Sequence, residues 1–254
     1  MANPAGAPRV SIILPVKNQA DHIELIVSEY VSALRQIGEL CELILVENGS
    51  TDATGAACAA LAALHHGVAA VASGAGWGRA VRAGISNARG DLLCFTNSAR
   101  TTPEDLALAV RYGLVNERVV VKASRKMRAS LVRRIGSLLF NLQARMLFGM
   151  AIWDINGTPK VFHRELLPLL ALRENGDLLD LEFAIACHRH QIAVLEMPIF
   201  AVRRHGGKSS TNWRSAFRIY AGTFRLYWSA RRRSRSTAAS PVDSSNRMAR
   251  RFRA

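Results

Sequence analysis

Acidic residues are scarce in this chain: 19 Asp and Glu stand against 34 Lys and Arg among 254 residues, for a formal net charge of +15. The deficit is local. Residues 201–254 hold 14 basic residues and one acidic residue, whereas residues 1–200 are near balance at 20 against 18. From Arg118 to Trp153 there is no acidic residue, while Lys122, Arg125, Lys126, Arg128, Arg133, Arg134 and Arg145 all fall there. Both stretches suit phosphate-bearing partners. Cysteine is also sparse. Cys41, Cys58, Cys94 and Cys187 lie far apart without metal-ligand spacing, which argues against a disulfide framework or a zinc site and for reduced packing residues in a cytosolic protein. His188, His190 and His205 have no companion carboxylate at ligand spacing. The start, MANPAGAPRV, lacks the apolar core of a secretory signal. Leu131 to Met150 cannot span a bilayer, because Arg133, Arg134, Asn141, Gln143 and Arg145 interrupt it. Nor does any recognisable RNA or DNA module accompany the basic C-terminal stretch, which disfavours nucleic acid as the partner.

What is present is a repeating strand and helix pattern. Val10 to Leu14 is an apolar run suited to a buried parallel strand, with Pro15 expected to end the ladder and Lys17 and Asn18 to follow at the sheet edge. Ile23, Ile26, Val27, Tyr30, Val31, Leu34 and Ile37 then recur at helical spacing, with Asp21 and Glu24 as a capping box and Gly38 as the stop. A second apolar run opens ELILVENGSTDAT, Glu42 to Thr54, and breaks into a turn carrying Glu47, Asn48, Ser50 and Asp52. In open parallel sheets the ligand crevice lies beyond the carboxyl ends of the strands, so the two polar turns are expected to share a nucleotide-type pocket. Each alone is also what an ordinary strand exit requires.

An alanine-rich helix over 52–66, a strand over 68–72, a helix over 77–88 and a strand over 91–96 continue the alternation, which predicts a single α/β domain with C-terminal additions. Gly74, Gly76 and Gly78 open the third helix, with Arg79 and Arg82 behind them. This cluster reads equally as a phosphate cradle or as a tight turn allowing close packing. Leu131 to Met150 forms one amphipathic helix. In a second, Trp213, Phe217, Tyr220, Phe224, Tyr227 and Trp228 recur every three or four residues among Arg214, Arg218, Arg225 and Arg231 to Arg233. Both are expected to lie at a membrane surface, the aromatic rings in the interfacial layer and the arginines at anionic head groups.

Together VSIILPVKN, LILVENGSTDAT, GWGRAVRAGISNARGD, DINGTPKVFHR, LDLEFAIACHRH and RRHGGKSS, in this order, resemble the family 2 glycosyltransferases of the GT-A fold, especially polyprenyl-phosphate (dolichol-phosphate) sugar transferases. The resemblance, over roughly Val10 to Tyr227, implies a Rossmann-like, mostly parallel sheet flanked by helices over residues 9–212; periodicity and composition add an interfacial helix at 128–150 within it, an aromatic and arginine-rich helix at 213–233, a flexible start at 1–8 and a disordered basic tail at 234–254. It also implies inverting sugar transfer from a nucleotide-diphosphate donor to a polyprenyl phosphate or related acceptor, peripherally on the cytoplasmic face of the membrane.

Carried over by position, Pro15, Lys17, Asn18, Glu47, Asn48, Asp52, Gly78, Arg79, Asn97 and Ser98 line the nucleotide-sugar pocket. Asp154, Lys160, Glu182 and Arg100 stand at the transfer centre, and Arg125, Lys126, Arg204, Lys208 and Ser209 meet acceptor or phosphate. One departure is large. Where the family carries a D-x-D pair for Mg²⁺ or Mn²⁺, this chain has Asn97, Ser98 and Ala99. Three readings follow: Arg100, with Arg125 and Lys126, supplies the missing charge; Glu47 or Asp52 keeps a weak metal site with the substrate phosphates; or the fold binds nucleotide or lipid without transferring sugar.

Overall fold

In the computed structural model, residues 6–116, 118–125, 131–200 and 218–229 are described. The alternation expected from the sequence is realised: β1 (Val10–Val16), α1 (Ile23–Arg35), β2 (Cys41–Glu47), α2 (Thr54–Leu64), β3 (Val68–Ala72), α3 (Trp77–Asn87), β4 (Leu92–Phe95), α4 (Pro103–Val115) and β5 (Val119–Arg125). Then come α5 (Leu131–Phe148), β6 (Lys160–His163), a short turn of helix leading into α6 (Leu167–Leu170), α7 (Leu179–Arg189), β7 (Ala193–Ile199) and α8 (218–229). One seven-stranded sheet has the order β3-β2-β1-β4-β6-β5-β7. All neighbouring pairs are parallel except those of β6, which runs antiparallel to β4 and β5.

The period of two along β1 explains the layers. Val10, Ile12, Leu14 and Val16 face α1 and α4, where they meet Ile23, Ile26, Tyr30, Leu106 and Val110. Ile13 points the other way and joins Phe95, Phe162, Leu179 and Phe183 beneath α3 and α7. A third apolar cluster lies outside the sheet, where Phe140 and Ala144 of α5 pack with Leu181 and Ala184 of α7 and Leu226 of α8. Cys58, Cys94 and Cys187 are buried and Cys41 half-buried, all as free thiols. Burial pushes Cys58 up to about 11 and Cys187 up to about 12, so both stay protonated packing groups.

Three local expectations change. Pro15 does not end the ladder: β1 continues to Val16, which pairs with Glu47. A missing N–H costs nothing if the ring merely occupies a position where no ladder donor is used. The Asp21 and Glu24 capping box does not form, because α1 starts one residue later with His22 at the cap and the Asp21 carboxylate turned onto the His22 ring. The aromatic stripe of α8 is split between two environments. Tyr220 packs edge-on against Phe140 with its hydroxyl donating to Gly136 O at 2.7 Å, and Tyr227 packs on Phe148, while Phe224 and Trp228 stay exposed. Trp213 and Phe217 lie outside the described residues, as do the tail over 234–254 and the segment 1–5.

Candidate active site

Strand order reverses at β1, with β2 and β3 on one side and β4 on the other, and this is where an open parallel sheet forms its crevice. The exits of β1 and β2 meet there and are tied together by side chains. Asn18, at φ +50°, accepts the Thr51 amide at Oδ1 (2.8 Å) and donates its own amide to Ser50 Oγ (3.1 Å). The Gln19 amide donates to Thr54 Oγ1 at 2.8 Å. Asp52 accepts from the Ala20 amide at 3.3 Å, and from the Thr54 amide and hydroxyl at 3.0 and 2.5 Å. The Thr54 hydroxyl bond, opposed by desolvation and joined by the two amides, holds this exposed carboxyl below its ordinary range. Asp52 thus starts α2 and fixes the rim. Glu47 folds back onto the Ser50 amide, and Asn48 Oδ1 accepts the Gly76 amide at 2.7 Å, anchoring the loop before α3. Lys17 projects from this rim into solvent.

The glycines before α3 serve close packing. The Gly78 and Arg79 amides donate to Gly176 O at 3.2 Å and Asn175 O at 3.0 Å. A Cβ on Gly78 would stand 2.2 Å from Glu174 O. The segment 173–176 therefore lies across the first turn of α3, where the phosphate-cradle reading of the sequence needed open amides. Glu182 holds that segment, accepting the Arg173 and Glu174 amides at 2.8 Å each, and Arg82 donates to Arg173 O and Asn175 Oδ1. Arg225 of α8 completes it with two bonds to the Glu174 carboxylate at 2.7 and 2.8 Å.

Beyond β4 the chain turns through Thr96, whose hydroxyl meets that of Thr101 at 2.6 Å, and Tyr30 donates to Thr101 O at 2.8 Å. Ser98 and Ala99 are buried, Arg100 is half-buried, and Asn97 Nδ2 donates to Thr158 Oγ1 at 2.5 Å. Among the described residues no group of three or more His, Cys, Asp or Glu side chains is placed to hold a metal ion. One neutral amide oxygen, a buried hydroxyl and an alanine, with no carboxylate among them, make a donor set that does not fit a divalent cation bridging a diphosphate.

Because β6 runs against its neighbours, its first residue, Lys160, lies at the carboxyl edge beside Phe95 and Lys122. Its ammonium is fully buried, ion-paired with Asp180 and 5.3 Å from the Phe95 ring centroid. Arg125, at the end of β5, binds Asp154 three times: through its amide (2.9 Å), Nε (2.7 Å) and Nη2 (2.8 Å). Burial works against the Arg125 charge, but the Asp154 bonds and charge outweigh it and leave the guanidinium above its ordinary value. The turn between Asp154 and Lys160 is tight. Gly157 donates to Asp154 O at 2.6 Å, and any Cβ on it would lie 1.9 Å from Ala123 O.

Residues 11–166 match the family described as Glycosyl transferase family 2. The chain belongs to that family. Among its relatives are the undecaprenyl-phosphate 4-deoxy-4-formamido-L-arabinose transferases of Pseudomonas fluorescens strain SBW25, 28% identical over 203 residues (78% of this chain, 58% of the relative), and of Pectobacterium carotovorum strain PC1, 26% identical over 162 residues (62% and 50%). The chain therefore spans between half and three-fifths of the length of these relatives. Its fold is similar to glucosyl-3-phosphoglycerate synthase from Mycobacterium tuberculosis in complex with Mn²⁺, UDP-glucose and phosphoglyceric acid (TM-score 0.64, 21% identity, 88% of this chain and 80% of that one). It is also similar to mannosyl-3-phosphoglycerate synthase from Rubrobacter xylanophilus (TM-score 0.66, 19% identity, 93% and 78%). These likenesses give the GT-A fold.

In this family 2 chain the residues picked out by sequence gather at one edge of the sheet, but several already have partners. Lys160 is held by Asp180, Arg125 by Asp154, and Glu182 by backbone amides, so each already bonds within the protein. Pro15 is buried within β1. Lys126, Arg204, Lys208 and Ser209 lie outside the described residues. Sequence reasoning missed Asp180, whose one signal was a carboxylate two residues before Glu182 on the buried side of the same helix start. It also missed the Lys122 pair with Glu196, at 2.8 Å.

Proposed function

We propose that this chain transfers a glycosyl group from a nucleotide-diphosphate donor to a polyprenyl phosphate, with inversion at the anomeric carbon. The observation that carries this reading is the three-bond grip of Arg125 on Asp154. That carboxylate is already occupied by the amide and guanidinium of Arg125, whereas an acceptor hydroxyl needs a base placed to take its proton. A phosphate acceptor does not: it is anionic near neutral pH and attacks once aligned. The acceptor oxygen forms the new bond to the anomeric carbon while the nucleoside diphosphate leaves from the opposite face with the bonding pair. Asp154 orients the sugar or acceptor, and the linked turns at Asn18, Glu47, Asn48 and Asp52 hold the nucleotide side. Arg100, with Lys126, neutralises the departing diphosphate, and Arg204, Lys208 and Ser209 bind phosphate oxygens. The relatives named as undecaprenyl-phosphate transferases support the acceptor class.

The acceptor class fits a place at the cytoplasmic membrane face. No helix among the described residues is long and apolar enough to cross a membrane. On α5, however, Ile135, Leu138, Leu139, Leu142 and Met146 are 50 to 77% exposed along one face, with Phe224 and Trp228 of α8 exposed as well. An apolar face in a stretch without acidic residues suits an anionic bilayer surface.

The test is incubation with labelled nucleotide sugars and polyprenyl phosphate in vesicles, with and without chelator. Product that survives chelation is expected. Arg100→Ala should lower kcat while leaving nucleotide affinity near wild type. The Asn97, Ser98 and Ala99 replacement favours one second reading, a nucleotide- or lipid-binding protein without transfer. Absence of product with every donor, alongside retained nucleotide binding, would select it.

A further inference from the structure

Lys122 is an unusual residue for the middle of β5. It is 2% exposed, between Val119, Val120 and Val121 on one side and Ala123, Ser124 and the terminal Arg125 on the other, and burial holds its ammonium below the ordinary lysine range despite the opposing charge of Glu196. A buried ion pair is seldom the most stable filling for such a position, because an apolar pair of similar volume avoids the desolvation cost. The pair's hydrogen bonds point to a different role. Lys122 Nζ donates to Glu196 Oε1 at 2.8 Å, to Trp153 O at 2.6 Å and to Ala123 O at 3.2 Å. Glu196 in turn accepts the Trp153 amide at 3.0 and 3.1 Å. Both polar ends of residue 153 are thereby held by one ion pair bridging β5 and β7.

The next residue is Asp154. Trp153 O belongs to the peptide bond that Asp154 extends, so fixing that carbonyl fixes the peptide plane from which Asp154 departs. Asp154 departs at φ +43°, a left-handed conformation that costs a non-glycine residue about 1 kcal/mol or more and persists only where the surroundings enforce it. From there its carboxylate reaches the amide and guanidinium of Arg125. Arg145 stacks 3.9 Å from the centroid of the Trp153 ring and steadies the side chain as well.

We propose that the Lys122 and Glu196 pair is a clamp on the peptide between Trp153 and Asp154, making both positioning residues for the Asp154–Arg125 pair in sugar transfer. The catalytic part of this inference rests on the transferase reading above. The clamp itself does not.

The experiment uses the full chain and compares wild type with Lys122→Met, Glu196→Gln and the double variant Lys122→Met/Glu196→Leu. Each single variant strands a charge or a polar group and is expected to melt at lower temperature. The double variant leaves no unpaired charge but takes the partners from the Trp153 amide and carbonyl, and is expected to melt above both single variants. It should nevertheless lose about 10²-fold in kcat with KM for the donor within about twofold. Amide exchange at Trp153, Asp154 and Arg125 should accelerate in the double variant while β1 and β2 stay protected. A double variant that folds normally and keeps the wild-type kcat would overturn the positioning role. Unchanged exchange at Trp153 and Asp154 would overturn the clamp. If wild type transfers no sugar, the transferase reading fails, and the exchange result still decides whether the clamp exists.

Discussion

At the residue scale, the most consequential groups are charges taken out of water in pairs. Lys160 and Asp180 are both almost fully buried, so removing one partner strands the other. Asp180→Asn should cost about 3–5 kcal/mol, whereas Asp180→Leu combined with Lys160→Met should lie near wild type, as denaturant melts of the three proteins will report. Glu42 makes a pH-dependent case. Burial works to raise its carboxyl, but bonds from the Ser11 hydroxyl and from the Arg89 amide and guanidinium outweigh it and bring it below the ordinary glutamate range. A depressed carboxyl stabilises the fold above its unfolded value and loses that contribution as pH falls through the folded one. Glu42→Gln should therefore cost about 1 kcal/mol near neutral pH, with the gap from wild type closing below about pH 4 in urea melts. Such pairings could not be read from the chain. Periodicity tells which face a lysine is on, but not whether the carboxylate that meets it is Asp154, Asp180 or Glu182.

At the element scale, the order of strands and helices was legible because buried parallel strands are apolar throughout and end in polar turns. β1, β2 and β4 follow that rule apart from Ser11, Glu42 and Glu47, whereas the edge strand β3 is apolar but largely exposed. Less legible was what the glycines before α3 do, since a cradle for phosphate and a seat for backbone demand the same small residues. The strap over 173–176 decides for the seat. Gly78→Ala would drive a methyl into Glu174 O and should destabilise the protein by about 1–3 kcal/mol, measured by thermal unfolding, with exchange rising at Arg79. The α8 stripe was legible as aromatic but not as two-sided. Only its packing on α5 reveals that Tyr220 and Tyr227 are structural, so Tyr220→Ser should lower the melting temperature where Trp228→Ser should not.

At the scale of the whole molecule, charge and apolar exposure fall on different parts of the chain. Most of the basic excess belongs to residues 201–254, while most of the open apolar face is on α5, with Phe224 and Trp228 of α8 beside the basic stretch in sequence. If both meet one bilayer, Leu138→Ser with Leu142→Ser should reduce binding to anionic and neutral vesicles alike by about tenfold without lowering the melting temperature. Added salt should weaken only the anionic component. Co-sedimentation in about 0.05 M and about 0.5 M salt separates the two contributions. The meeting of the two polar turns at the carboxyl edge of β1 and β2 was legible as a place for the candidate site. The bonding state of its residues was not, because it depends on which strand lies beside which.

The strap also joins distant parts of the chain mechanically. Arg225 grips Glu174, and the carbonyls of the two following residues grip the start of α3, whose preceding loop is anchored by Asn48. A pull on the last described helix therefore has a continuous route to the β2 side of the crevice. Cutting the chain before residue 218 would slacken the rim at Asn48 without touching any residue in it.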